Sequence, residues 1–326
     1  MILVRRSAAV VVGAGVFLPL IVFLTNTASS SRTKLAIAMS ETDDTNPEAT
    51  FEVKSKVDGP LSDLTLLEQS LLFAELSSIC YFDEAHAAPL AEQLGLARAT
   101  YYERDGAQAY IFGGTTDTVV ACRGTEPNEW NDIRADANAT SALADTVGKV
   151  HSGFKQEVDD LWPELEAELI KTENTVWFTG HSLGGAMATI CAGRCFLSHI
   201  ESTPAGLFTY GSPRVGDKRY INYCDISHIR WVNNNDIVTR VPPAWLGFRH
   251  GGQEMYLDAN GDLKNLEGWG RFKDRMRGFF RGLRRLKVDH FADHLIDNYI
   301  NYIANAIKKE KASGKIAPGI RLEKKA

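Results

Sequence analysis

The chain has 326 residues, of which 44% are hydrophobic and 24% are charged, as in ordinary globular proteins. Its net charge of −5 argues against general nucleic-acid binding. Five cysteines, an odd number with no paired spacing, do not form the pattern of a disulfide framework. Neither Cys-x-x-Cys nor His-Glu-x-x-His spacing occurs, so we expect no metal and no other cofactor.

The N-terminal segment has the features of an export signal. Arg5 and Arg6 precede an apolar run from Ala8 to Leu24, and small polar residues follow up to Ser31. The run is long for a signal peptide and near the lower limit for a membrane span. A cleaved signal peptide over residues 1–31 and an uncleaved anchor through 8–24 are therefore both open. Under either alternative we expect the protein to be secreted or exported.

Residues 32–60 are predicted to be a disordered linker, because much of this stretch is acidic and polar with little apolar spacing. One catalytic domain is expected over 61–312, and a basic tail over 313–326. Apolar periodicity and turn residues predict helices and strands in alternation, which indicates a mostly parallel sheet with helices on both faces. The predicted helices are Leu61–Cys80, Phe154–Lys171 and Ala186–Leu197, and the predicted strands include Ala107–Phe112, Thr118–Cys122, Gly206–Tyr210 and His228–Val232.

Residues 175–185 carry the most specific motif. A β-rich apolar run ends in Gly180-x-Ser182-x-Gly184 and continues into a helical segment. In this context the motif is typical of a nucleophile elbow, in which a strained turn projects the serine Oγ. The following helix directs its first N–H groups at the place where an oxyanion would form. Ser182 is therefore predicted to be a catalytic nucleophile.

A catalytic serine needs a base and an acid that orients the base. Asp236 directly follows a predicted strand, at the sheet edge where such sites form, although an Asn/Asp cluster at this point can also serve only as a turn. Among the histidines after Ser182, His199 and His228 are expected to be structural. His290 and His294 would share one helical face, so spacing does not separate them.

Further motifs follow one another in the order of a known family. They are Cys122-Arg123-Gly124-Thr125, Trp130 with Asp136, Val150-His151-Ser152-Gly153-Phe154, Tyr210-Gly211-Ser212-Pro213-Arg214-Val215-Gly216, Asn235-Asp236-x-Val238-x-Arg240-Val241-Pro242-Pro243, Phe248-Arg249-His250, and Asp293-His294-Leu295 followed by Tyr299. Over about residues 61–303 the chain thereby resembles the class 3 lipases, the fungal triacylglycerol lipase type with an α/β-hydrolase fold.

The resemblance implies roles for individual residues. Asp236 would be the acid and His294 the base, with His290 as the rival and His250 as a third candidate. The oxyanion hole would consist of the backbone N–H of Leu183 and of Thr125, the latter with its hydroxyl as a further donor.

The resemblance also implies a lid over the site. Trp130 and Ile133 share one helical face of residues 126–138, and the rest of that segment is strongly polar. Such a lid exposes little apolar surface, so a true lipase and an esterase or phospholipase for more polar esters are both open.

Residues 271–287 are rich in Arg and Lys, with apolar residues at helical spacing. A basic amphipathic helix of this kind can lie on an anionic membrane surface. The alternative is an ordinary surface helix with a solvated basic face.

Together these patterns predict a serine hydrolase that cleaves carboxylic esters of lipids, such as triacylglycerols or phospholipids, through an acyl-enzyme. The alternatives are an acyltransferase and a non-catalytic lipid-binding protein on the same fold.

Overall fold

A computed structural model of the chain describes residues 51–124, 140–197, 203–223, 225–264 and 292–314. The predicted N-terminal signal or anchor, the lid segment, the basic helix at 271–287 and nearly all of the basic tail lie outside these described residues. The chain divides into two units, Met1–Phe51 and Glu52–Ala326. Among the residues that the structure describes, no helix has both the length and the apolar character needed to cross a bilayer.

The second unit is organised around an eight-stranded sheet of order β1-β2-β3-β6-β7-β8-β9-β10. Neighbouring strands from β3 to β9 are parallel, and the outer pairs at both edges are antiparallel. A separate hairpin consists of β4 and β5. The strands are β1 Arg98–Arg104, β2 Ala107–Gly113, β3 Asp117–Cys122, β4 Ser141–Leu143, β5 Lys149–His151, β6 Thr175–His181, β7 Pro204–Tyr210, β8 His228–Asn233, β9 Gln253–Leu257 and β10 Leu263–Lys264.

Helices cover both faces of the sheet, which confirms the predicted architecture. The α-helices are α1 Leu66–Ile79, α2 Glu84–Gln93, α3 Ser152–Leu169, α4 Leu183–Leu197, α5 Lys218–Tyr223 and α6 Ile296–Ser313. Short 3-10 turns lie at Leu61–Asp63, Val238–Arg240, Ala244–Leu246 and Ala292–His294.

One face of the sheet packs against α1. Alternate residues of a strand point to the same face, so Trp177, Thr179 and His181 all lie on this side of β6. The ring of Phe73 in α1 lies 5.5 Å from that of Trp177, and Thr179 Oγ1 donates to the Phe73 carbonyl at 3.1 Å. Because α6 also packs on α1, this face brings the two helices next to the end of β6.

The opposite face holds the larger apolar core, under α3 and α4. Val176 and Phe178 of β6 are fully buried there, and the central part of α4 is buried on all sides. The α3 residues in this core are Phe154, Val158, Leu161, Trp162, Leu165 and Leu169, which recur at helical spacing. Burial against two layers therefore fixes the position of β6 and of the turn that leaves it.

The last residues of the predicted linker are part of the folded unit. The backbone N–H groups of Lys54 and Ser55 donate to the buried carboxylate of Glu75, at 2.6 and 3.1 Å. Val57 N donates to the Leu94 carbonyl at 2.9 Å. Isolated apolar residues and backbone contacts hold this stretch, and neither produces a periodic pattern in the sequence.

All three helix starts differ from those that periodicity predicts, and α3 begins at Ser152, two residues before the predicted Phe154. Helix α1 begins only at Leu66, because Thr65 caps it: Thr65 Oγ1 accepts from Glu68 N, and the Glu68 carboxylate accepts from Thr65 N. Helix α4 begins at Leu183, immediately after the predicted nucleophile. Periodicity did not predict α2, α5, α6, β1, the β4–β5 hairpin, β9 or β10.

Asp117 offers a test of what holds the N-terminal part of the domain. Its buried carboxylate accepts from Leu61 N at 3.0 Å and from Trp177 Nε1 at 2.7 Å. We expect Asp117→Ala to lower the free energy of unfolding by about 2–4 kcal/mol, because two buried donors lose their acceptor. The control Asp58→Ala removes an exposed carboxylate paired with Lys56 and should cost no more than about 0.5 kcal/mol. Equal urea midpoints for the two variants would contradict this interpretation.

Candidate active site

Ser182 lies at the turn between β6 and α4 with a φ of +63°. This left-handed backbone is uncommon for a residue with a side chain and marks strain at a functional turn. Ser182 N donates to the Tyr210 carbonyl at 2.9 Å, and Gly185 N donates to the Ser182 carbonyl at 3.0 Å. These backbone bonds hold the turn in the geometry of a nucleophile elbow.

The two glycines of the motif are required by close packing. A Cβ on Gly180 would overlap the backbone of Gly184, and a Cβ on Gly184 would overlap the carbonyl of Cys122 at the end of β3. The elbow therefore lies directly against the neighbouring strand, and only glycine fits at either position.

The structure brings Ser182, His294 and Asp236 together. His294 Nε2 lies 2.8 Å from Ser182 Oγ, and His294 Nδ1 lies 2.9 and 3.0 Å from the two oxygens of Asp236. With Nδ1–H donated to the carboxylate, Nε2 carries no proton and can accept that of the serine. The three residues are 0%, 3% and 0% exposed respectively, so these contacts operate in a water-poor surrounding.

Asp236 is held as an acceptor by two further donors. Val238 N donates to Oδ1 at 2.9 Å, and the Tyr299 hydroxyl donates to Oδ2 at 2.6 Å. Burial, and then the charge of Asp236, raises the pKa of Tyr299 well above its usual value, so this phenol stays protonated and donates. These two donors orient the carboxylate towards His294.

The asparagines before Asp236 hold the segment that carries the histidine. Asn233 Nδ2 donates to the Asp293 carbonyl at 2.8 Å, and Asn234 Nδ2 and Asn235 N donate to the Asp293 carboxylate at 3.1 and 3.2 Å. The turn therefore positions Asp236 and the segment that carries His294 at the same time. From the sequence alone this cluster could be read either as the position of the acid or only as a turn.

Gly211 also belongs to the site, and only the structure shows why a glycine is required at this position. It has a φ of +59°, and a Cβ there would lie 2.7 Å from Asp236 Oδ2 and 2.8 Å from His294 Nδ1. The carboxylate–imidazole pair therefore packs directly on the backbone after β7. The motif Tyr210–Gly216 was the available signal, but nothing in it specifies this contact.

The other candidate bases are placed differently. His250 Nε2 donates to the Thr239 carbonyl at 2.7 Å, and His228 Nε2 lies 2.9 Å from Thr209 Oγ1. Neither contacts Ser182, so His250 does not hold the position of the base. His290 lies outside the described residues.

Of the two residues predicted to form the oxyanion hole, the structure describes Leu183 and, for the other, only the preceding residue Gly124. Leu183 is the first residue of α4, so its N–H belongs to the helix N-terminus beside Ser182. Gly124 passes so close that an added Cβ would lie 3.2 Å from Ser182 Cβ. Thr125 and the predicted lid residues Trp130 and Ile133 lie outside the described residues.

Within the described ranges, no group of three or more His, Cys, Asp or Glu side chains forms a potential metal site. Among the described residues, Cys80, Cys122, Cys191 and Cys195 are buried cysteines outside any disulfide, in the position of small core residues. Burial raises the pKa of Cys195 to about 12, which keeps that thiol neutral.

A parallel sheet with a serine at such an elbow, followed along the chain by an aspartate and a histidine in hydrogen-bond contact, defines the α/β-hydrolase class. Comparison with known proteins finds similar sequences and structures among the lipases. The class 3 lipase model matches residues 119–245. A lipase of Rhizomucor miehei is 30% identical over 210 residues, which cover 49% of this chain and 58% of that protein. Secreted mono- and diacylglycerol lipase 1 of Fusarium solani is 37% identical over 117 residues, 33% of this chain and 34% of that protein.

The solved structure of R. miehei triacylglyceride lipase has a TM-score of 0.52 at 27% identity, covering 59% of this chain and 80% of that one. The chain is therefore similar to class 3 lipases, and the match to the family model spans its central part, residues 119–245. The chain spans less than two thirds of the length of these curated relatives.

His228 and His250 make the fold sensitive to acid. Burial, and then the charge of Arg230, lowers the pKa of His228 to about 3 and that of His250 to about 2. In the unfolded chain these groups titrate near 6.5, so the unfolded state binds more protons below that pH and stability falls as pH falls. We expect His250→Gln, which retains an N–H donor for Thr239, to reduce the slope of unfolding free energy against pH by about 1.4 kcal/mol per unit between about pH 6 and 4. Urea unfolding at several pH values measures this slope, and a slope equal to wild type would refute the assignment.

Proposed function

We propose that this chain is a serine hydrolase that cleaves carboxylic esters of lipids through an acyl-enzyme. The observation that carries the proposal is the unbroken contact from Ser182 Oγ through His294 to the Asp236 carboxylate. A serine hydroxyl is a weak nucleophile by itself, and this arrangement supplies a base in the tautomer that can take its proton.

The reaction then proceeds in two halves. Ser182 Oγ attacks the ester carbonyl while His294 Nε2 takes the hydroxyl proton, and Asp236 stabilises the resulting imidazolium. The tetrahedral oxyanion is bound by the N–H of Leu183 and by Thr125, and each such donor contributes about 3–4 kcal/mol in the transition state. His294 passes the proton to the leaving alcohol, and water repeats the sequence to release the fatty acid. No step needs a metal or a cofactor.

The lipid substrate class is supported by the relatives, whose names specify triacylglyceride and mono- and diacylglycerol lipases. We propose an acylglycerol or phospholipid ester as substrate, with Trp130 and Ile133 in a lid over the site. The polar composition of that lid segment favours esters with polar head groups.

The triad assignment is tested on p-nitrophenyl esters from C2 to C16. We expect Ser182→Ala and His294→Ala each to lower kcat by at least about 10⁴-fold. Ser313→Ala and His86→Ala, which alter exposed side chains, serve as matched controls and should retain activity. Activity that survives His294→Ala but not Ser182→Ala would assign the base to His290. Product analysis with added alcohol distinguishes an acyltransferase, and a protein inactive on every ester would support the non-catalytic alternative.

We further propose that the protein is exported and works at a lipid surface. Residues 1–31 supply the predicted signal, or residues 8–24 an anchor, and the Fusarium solani relative is named as secreted. Residues 271–287 would be the basic surface that meets anionic lipid.

Exposed apolar side chains among the described residues also support contact with lipid. Trp245 and Leu246 are 85% and 47% exposed on the turn that follows the Asp236 segment, and Leu295, directly after His294, is 46% exposed. Arg214 and Arg249 donate to backbone carbonyls of the same turn, which places positive charge beside an exposed indole. Tryptophan and arginine together suit the head-group region of a bilayer.

Vesicle sedimentation tests the surface. Reversing the charge of Arg281, Arg284 and Arg285 should weaken binding to phosphatidylserine-containing vesicles by at least about tenfold, because each cation contributes roughly 1 kcal/mol near an anionic surface. Activity on vesicles should fall with binding, and hydrolysis of soluble esters should remain. Lys218→Glu with Arg219→Glu, exposed cations of α5, is the matched control. Unchanged vesicle binding by the triple variant would refute this part of the proposal.

A further inference from the structure

His181, the residue before the nucleophile, has a side chain with two polar contacts inside the site. It lies on the α1 face of β6 and is 6% exposed. Its Nε2 lies 2.7 Å from the backbone carbonyl oxygen of His294, and its Nδ1 lies 3.1 Å from the Tyr81 hydroxyl. The rings of His181 and His294 are 4.6 Å apart between centroids. His181 therefore contacts the backbone of the very residue whose side chain meets Ser182.

The positions of the protons follow from the partners. A carbonyl oxygen carries no hydrogen, so Nε2 of His181 must be the protonated nitrogen. Nδ1 is then the acceptor, and the Tyr81 hydroxyl donates to it. Burial, and then the charge of His294, lowers the pKa of His181 well below its usual value. The ring is thus neutral and held in one tautomer.

Neutrality matters because of what lies next to this ring. In the proposed reaction His294 becomes an imidazolium, and a cationic donor 4.6 Å away would oppose that charge. Lysine or arginine at position 181 could supply an N–H donor but would also supply a like charge. A buried histidine supplies the donor without the charge.

Tyr81 connects this contact to the other side of the site. The Arg123 guanidinium lies over the Tyr81 ring, with Cζ 5.5 Å from the centroid. A Cβ on Gly124 would lie 2.6 Å from the Tyr81 hydroxyl oxygen. Tyr81 therefore packs against Arg123 and Gly124, the residues that lead from β3 to Thr125.

We propose that His181 is a positioning residue for the base, and that its Nε2–H holds the backbone of His294 so that the imidazole stays at Ser182 Oγ. Tyr81 donates to Nδ1 of His181 and connects this contact to the end of β3. His294 is then held at Nδ1 by Asp236 and at its own backbone carbonyl by His181, while Asn233–Asn235 hold the preceding Asp293. If the His181 contact is lost, the backbone of His294 can shift while the Asp236 contact remains.

The test compares His181→Gln with His181→Met. Glutamine places an amide N–H near the position of imidazole Nε2, and methionine has a similar size and shape without a donor. Since this inference depends on the proposed hydrolase function, both variants are assayed as full chains on an ester that the wild-type protein hydrolyses and Ser182→Ala does not. Circular dichroism and thermal midpoints establish that each variant is folded.

We expect His181→Met to lower kcat by about 10- to 100-fold with little change in KM, because a displacement of about 1 Å at a reacting group has an effect of this size. His181→Gln should keep kcat at least about tenfold above that of His181→Met. Equal kcat values for the two variants, or wild-type kcat in His181→Met, would overturn the proposal. So would a loss that appears only in KM or only in stability.

A measurement on the wild-type protein covers the case in which the variants do not fold. Nitrogen NMR of ¹⁵N-histidine-labelled protein reports the tautomer of each imidazole. The proposal requires a neutral His181 with its proton on Nε2 at pH 7, and the same tautomer in Tyr81→Phe, because the His294 carbonyl still accepts from Nε2. A protonated His181, or a proton on Nδ1, would overturn it. If the wild-type protein hydrolyses no ester, the proposed function fails while this measurement still decides on the contact between His181 and His294.

Discussion

The site depends on one strained residue. Ser182 adopts a left-handed backbone between β6 and α4, a conformation that costs about 1–3 kcal/mol and persists only when its surroundings enforce it. Apolar packing on both faces of β6 supplies that enforcement, and the absence of side chains at Gly180 and Gly184 lets the turn lie against β3. The proposed nucleophile and the proposed oxyanion donor Leu183 are therefore adjacent residues of a single local structure.

The proposed acid and base are placed beside Ser182 by other elements of the fold. Asp236 follows β8, and His294 precedes α6. The asparagine turn at 233–235 donates hydrogen bonds to Asp293, the residue before His294. Hydrogen bonds that do not involve Ser182 thus join two segments that are distant in sequence. Tyr299 donates a hydrogen bond to Asp236. Gly211 has no side chain and so leaves room for the Asp236–His294 pair. Placed within such a buried network, each hydrogen bond has a defined direction and little competition from water.

Much of this arrangement could be predicted from the sequence, because its strongest signals are local. The strand, the Gly-x-Ser-x-Gly turn and the helix occur in one continuous stretch, and the core strands are apolar runs. The resemblance to the family, not spacing, selected His294 over His290. Elements such as β1, with Arg98, Glu103 and Arg104, did not show a strand pattern, because an edge strand carries charge on its exposed positions. The contacts of His181, Gly211 and Asn233–Asn235 could not be predicted, since they join residues whose separation in sequence carries no periodic signal.

The central claim is that His294 activates Ser182 as a nucleophile. The most direct test is reaction of the full chain with a fluorophosphonate, followed by peptide mass spectrometry and by the rate of labelling. The account predicts one adduct per chain on Ser182, formed at a rate that falls by orders of magnitude in His294→Ala. An adduct on another residue, or an equal rate of labelling in His294→Ala, would contradict it.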